Sequence, residues 1–136
     1  MRKITLILVA SVFSLGLFSF NWMSHQKESN EEKLLEGLEM SEDVQTIINN
    51  SCFGCHHTDS KNDKGKKKLN FDSFGGDYSS IKSASKLKKI AEVVIDGDMP
   101  PKKFLEHYPE KALNEDQKIL LSEWASAESA KLLEQK

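Results

Sequence analysis

Cysteine is scarce in this 136-residue chain: Cys52 and Cys55 are the two it has. A bridge between residues so close would close a tiny loop and stabilise little, so a disulfide framework is excluded. No second cysteine pair and no spaced histidine pair follows, which removes the four ligands of a structural zinc site. No segment alternates apolar and polar residues over a strand's length, and no internal repeat is present. The strand–helix–strand setting of a thiol–disulfide oxidoreductase is therefore missing. Beyond the first two dozen positions large apolar residues are lean, and Lys and Glu abound. What remains is an all-α class with long loops.

Acid is absent before Glu28. Arg2 and Lys3 precede an apolar run from Ile4 to Phe20. A basic start and an apolar stretch are the opening of a secretory signal. The run reaches the lower end of the roughly 17–25 residues that span a bilayer. Residues 1–24 are thus expected to be a signal peptide, or an N-terminal membrane anchor if they are kept. The expected location is periplasmic, or membrane-anchored facing the periplasm. The formal net charge is −2, and loss of Arg2 and Lys3 makes the remainder more acidic. That balance excludes a general nucleic-acid binder.

Residues 25–40 are charged with little periodicity and are expected to form a tether, with a short helical turn at Leu34, Leu35 and Leu38. The folded domain is expected over 41–136, with about three helices. Ser41 is an N-cap candidate, followed by Glu42 and Asp43 at the positive helix end. Val44, Ile47 and Ile48 then share one helical face. Residues 57–70 are polar and lysine-rich around Gly65, and are expected to be a loop. Leu69, Phe71, Phe74 and Tyr78 are expected to form an irregular segment against the core. Ser83 or Ser85 is the expected cap of a second helix with a stripe at Leu87, Ile90, Ala91 and Val94. Gly97 should end that helix, and Pro100-Pro101 forbid its continuation. Asn114 and Gln117 form a capping box before Leu120, Leu121, Trp124 and Ala125.

The first helix runs into Cys52-Phe53-Gly54-Cys55-His56. C-x-x-C-H is the attachment pattern of c-type haem. Two thiols two residues apart reach neighbouring vinyl groups of the porphyrin from one turn of chain. The following His56 is then the proximal iron ligand, and small Gly54 keeps the turn close to the ring. Export agrees with this, because bacterial c-type maturation takes place outside the cytoplasm. For the sixth iron position Met99 stands out, in Asp96-Gly97-Asp98-Met99-Pro100-Pro101. The prolines fix the backbone that carries the thioether, and His/Met ligation is common in such carriers. The competing reading of Met99 is a core filler beside a turn. The competing ligand is His107, whereas His57 is too close to the proximal ligand to reach the opposite face.

Residues 51–126 resemble a family of small haem-binding domains in exported bacterial proteins, related in plan to the cytochrome c fold. The likeness rests on SCFGCHH, LNFDSF, IAEVVIDGDMPP and HYPEKALNEDQKILLSEWA. It implies one covalent haem c at Cys52 and Cys55, ligation by His56, and Met99 on the distal side. The chain departs from the family's aromatic stretch after the motif, with lysine-rich Asp59–Lys68 in its place. The implied role is a one-electron carrier and no catalyst. A haem sensor, or an accessory domain to a peroxidase-type haem enzyme, is the alternative, with a displaceable sixth ligand. Lys61, Lys64, Lys66, Lys67 and Lys68 are either a solvated run or a docking patch for an acidic redox partner.

Overall fold

Three side-chain caps start the three long helices of this computed structural model, which describes residues 38–134. The Ser41 hydroxyl accepts from the Val44 amide at 3.3 Å and opens α1, Glu42–Ser51. Ser79 accepts from Lys82 and opens α3, Ser80–Ile95. Asn114 and Gln117 exchange bonds of 2.8 and 3.1 Å before α5, Glu115–Glu134. Between them lie two short helices, α2 (Asp63–Lys68) and α4 (Lys102–Leu105). Single 3-10 turns occupy Phe71–Ser73 and Pro109–Lys111. No strand occurs among the described residues. The expected signal or anchor (1–24) and most of the tether lie outside the described residues.

The class is all-α, as expected, with five α-helices among the described residues against about three expected, α4 among the additions, and two further differences. The expected loop over 57–70 contains α2. The second long helix starts at Ser79, ahead of the expected caps at Ser83 and Ser85. The extra turn is favoured because Ser83 and Ala84 are themselves buried. There the Ala84 carbonyl accepts from the Ser129 hydroxyl of α5 at 2.9 Å. Large apolar side chains alone give the wrong start, since small residues do the packing at that end.

Pairing of α3 with α5 dominates the packing, and α1 lies against α5. Val44, Ile47 and Ile48 of α1 join Leu87, Ile90, Ala91 and Val94 of α3 in one buried cluster. Leu121 and Ala125 of α5 complete it, with Phe71 and Phe74 sealing one side. The expected stripes therefore face each other. Each fully buried aliphatic side chain here is worth about 1.5–3 kcal/mol relative to exposure. Gly97 follows α3 at φ 71°, the left-handed geometry that favours glycine at a helix end.

Of the expected tether, Leu38, Glu39 and Met40 are described, and α5 holds them. The Trp124 indole donates to the Glu39 carbonyl at 2.7 Å. The Glu39 amide donates to the Glu128 carboxylate at 3.3 Å, and Lys131 bonds both carboxylates, at 2.9 and 2.6 Å. Leu38 and Met40 pack on the core. The Lys131 ammonium holds the Glu39 carboxyl below its ordinary 4.5, through its hydrogen bond first and its charge second. Hydrogen bonds from Lys131 to Glu128 and Glu39 raise the lysine above its ordinary 10.5. The Glu39 contact therefore stabilises above pH 4.5 and is lost as pH falls through the lower folded value. The Lys131 contribution is complete below 10.5 and is lost as pH rises through the higher folded value. Both side chains are largely exposed, so solvent keeps the ionic part small. Trp124→Phe keeps an aromatic ring at this position but deletes the donor together with the five-membered ring that carries it. It should cost about 0.5–1.5 kcal/mol and speed amide exchange at Glu39 while the rest of the domain exchanges as before. Unchanged exchange at Glu39 would show that the indole bond is not what holds it.

Candidate functional site

The end of α1 unwinds into successive tight turns. The amides of Cys52 and Phe53 both reach the Ile48 carbonyl at 2.9 Å. Cys55 then bonds back to Cys52, and His56 to Phe53, each at 3.1 Å. One coil of chain thus holds both thiols and the imidazole. Both cysteines are free and half-buried. Burial pushes the Cys52 thiol up to about 12, and Cys55 beside it adds to the shift. Among the described residues no cluster of His, Cys, Asp and Glu is positioned to hold a metal ion.

His56 is fixed from behind. Its Nδ1 lies 3.1 Å from the carbonyl of Gly65 and 3.1 Å from that of Leu69. Both are acceptors, so Nδ1 is the nitrogen that donates, and in the neutral ring Nε2 is the one left with a lone pair. That is the state of a histidine ready to bind a metal ion, with the partner that orients it already in place. The His56 carbonyl accepts from the Phe71 amide at 2.9 Å. The edge of the ring meets Phe71, with centroids 6.5 Å apart at 87°. His57 is turned elsewhere, stacked on Phe53 at 4.9 Å and 19°.

The acceptors come from α2, the helix inside the lysine run, and from Leu69, which caps its end. Asn62 caps it through a 2.9 Å bond to the Gly65 amide. Ser60, itself buried, donates to the Gly54 carbonyl at 3.0 Å, and the Lys66 ammonium donates to the Ser60 carbonyl at 3.0 Å. Lys86 of α3 bonds the Lys68 carbonyl. Further on, Asn70 donates to Thr58 at 3.0 Å and the Thr58 amide to Asp72 at 2.8 Å. Gly65 is required by proximity: a Cβ there would sit 2.6 Å from the backbone oxygen of Cys55. Gly54 differs, since no protein atom lies within 4 Å of an added Cβ. Lys61, Lys64, Lys67 and Lys68 point outward and are exposed.

Met99 sits on another turn. The amides of Asp98 and Met99 both bond the Val93 carbonyl of α3, at 2.9 and 3.2 Å. The Met99–Pro100 peptide is cis, and Pro100 is buried. Met99 itself is 37% exposed, so it does not fill the core. His107 is exposed at the end of α4. The structure thus gathers Cys52, Cys55 and His56 into one coil and carries Met99 on a separate, backbone-pinned turn. Sequence reasoning missed Gly65 and Leu69, which act through carbonyls. The available signal was Asn62 three residues before a glycine inside a run otherwise read as loop.

The family described as "Haem-binding domain" matches the chain over residues 59–127. The match begins just past the Cys52–His56 coil and spans α2 to most of α5. No curated protein and no solved structure matches the chain.

Proposed function

This chain belongs to the haem-binding domain family, and from that premise we propose that it is a single-haem c-type cytochrome domain that carries electrons outside the cytoplasm. Cys52 and Cys55 hold the haem through thioether bonds, His56 Nε2 ligates the iron, and Met99 supplies the opposite ligand. The observation that carries this reading is the double acceptor behind His56. A histidine read from the motif alone has two tautomers; this one has its donor side occupied and its ligating side free.

Bound haem supplies a one-electron iron couple. The residues around it set how that couple is held. Gly65 and Leu69 keep the imidazole in one tautomer and raise its basicity. The turn after α3 offers an exposed thioether from a fixed backbone, and a soft sulfur ligand favours reduced iron. His56 and Met99 would together hold the iron and leave it no place for a substrate, which supports a carrier over a catalyst. Lys61, Lys64, Lys67 and Lys68 form an exposed basic surface on the same segment, suited to an acidic redox partner whose association slows as salt rises. The domain works in the periplasm, free or tethered by its N-terminal segment.

Optical spectra of protein made with a haem-attachment system test this directly. Reduction should give the narrow alpha band of haem c. The oxidised form should carry the weak long-wavelength band of thioether ligation. Met99→Ala should erase that band, lower the potential, and open the reduced iron to carbon monoxide. If Met99→Ala changes none of these while His107→Ala does, the distal ligand is His107. Prompt carbon monoxide binding by the unmodified protein would favour a sensor or accessory role with a displaceable ligand.

A further inference from the structure

Residues 99–111 form a strap that hydrogen bonds hold at two places. The first is the double bond of the Asp98 and Met99 amides to the Val93 carbonyl, at the end of α3. The middle is stiffened by α4, where Phe104 and Tyr108 stack with centroids 4.9 Å apart at 30°. The Tyr108 amide returns to the Phe104 carbonyl at 3.0 Å. The second attachment is to α1. Asn50 Oδ1 accepts from the Lys111 ammonium at 3.1 Å, and Asn50 Nδ2 reaches the Glu110 carbonyl at 3.5 Å. Asn50 stands one residue ahead of Ser51, at the end of α1 that leads into Cys52. The strap that begins at Met99 is thus tied off beside the haem-attachment coil.

We propose that Asn50 is a positioning residue for the distal ligand: it clasps the 99–111 strap to the helix that leads into Cys52 and so sets how readily the Met99 sulfur leaves the iron. This rests on the reading of Met99 as that ligand. Asn50 touches neither haem attachment residue in this role. Its side chain is exposed and would be read as a solvated polar residue, but its Oδ1 is used on that distant turn, and its Nδ2 is shared between the Ser51 hydroxyl at 3.2 Å and the Glu110 carbonyl at 3.5 Å. One end of the strap is fixed by backbone bonds that no side chain can alter. The clasp is the attachment that a single side-chain change can release.

The experiment compares the intact haem-loaded protein with Asn50→Ala, Asn50→Asp and Met99→Ala. It follows carbon monoxide binding to reduced protein by stopped flow, and amide hydrogen exchange over residues 102–111. Asn50→Ala should bind carbon monoxide about fivefold faster, the effect of losing one ordinary hydrogen bond. The strap amides should exchange faster, with haem stain and alpha band unchanged. Asn50→Asp keeps the acceptor for Lys111 and should restore both toward the starting protein. Met99→Ala should bind carbon monoxide without the slow step while strap exchange stays as it was. If Asn50→Ala matches the starting protein in both measurements while Met99→Ala opens the iron, the clasp is refuted and the ligand reading stands. If Met99→Ala leaves carbon monoxide binding unaltered, the ligand reading fails and the clasp's proposed effect on it falls as well.

Discussion

The Cys52→Ala, Cys55→Ala double variant should remain folded yet give no band on a denaturing gel stained for haem. Thioether bonds survive denaturation, whereas a haem held by His56 alone is washed out. The contrast is therefore all or none. The fold should survive because neither cysteine belongs to the fully buried cluster; Cys52 only packs against its edge. Each substitution removes one sulfur at a half-buried site, well short of the roughly 2–5 kcal/mol of a buried Leu→Ala change. Circular dichroism should show the same helical content. Each single variant should keep a fainter stain through its remaining thioether. Haem stain retained by the double variant would end the covalent reading, while native absorption that disappears on acid extraction would mean that His56 still binds haem.

Gly65→Ala is the second large effect, and its sign separates two arguments. Gly65 lies within a helix, where alanine is ordinarily better by about 0.5–1 kcal/mol. Helix propensity alone therefore predicts a more stable protein. The surroundings predict the reverse. The nearest atom to the new methyl is the Cys55 backbone oxygen at 2.6 Å, and a backbone cannot swing aside. The Asn62 side chain, at 3.1 and 3.2 Å, could. Forcing a methyl into such a contact costs about 1–3 kcal/mol. The relief route is for α2 to draw back from the coil, and that takes the Gly65 carbonyl from His56 Nδ1. The clash and the lost bond together outweigh the propensity gain, for a net loss of about 1–2 kcal/mol. A less basic imidazole stabilises oxidised iron less, so the reduction potential should rise. Thermal melts and a potentiometric titration check both parts. A Gly65→Ala protein that melts higher than its parent would show that propensity wins and that α2 is free to move.

The long helices are legible because their signals are local. Val44, Ile47 and Ile48 repeat at helical spacing, and all three are buried. Asn114 and Gln117 sit three apart and bond each other as such residues do at a helix start. The coil of Cys52, Cys55 and His56 is legible for the same reason. By contrast, α2 has no apolar stripe and carries a glycine in a run of lysines, so its local preference is weak. It holds its form through contacts with the coil, chiefly the bonds from His56 to the Gly65 and Leu69 carbonyls. Every residue has a carbonyl, so no residue type marks such a partner in advance. Glu39 shows the same limit: its three partners lie on α5, far along the chain, and nothing near residue 39 names them.

That grip on Glu39 has a mechanical side. A pull on the backbone at Glu39 meets resistance from α5 first. Trp124, Glu128 and Lys131 take it there, spread over two turns of the longest helix, and α5 is seated on α3. The load is passed to α5 before it reaches α1. The helix that leads into Cys52 therefore lies downstream of the grip, and a pull applied at Glu39 is borne by α5 ahead of the coil of thiols and imidazole.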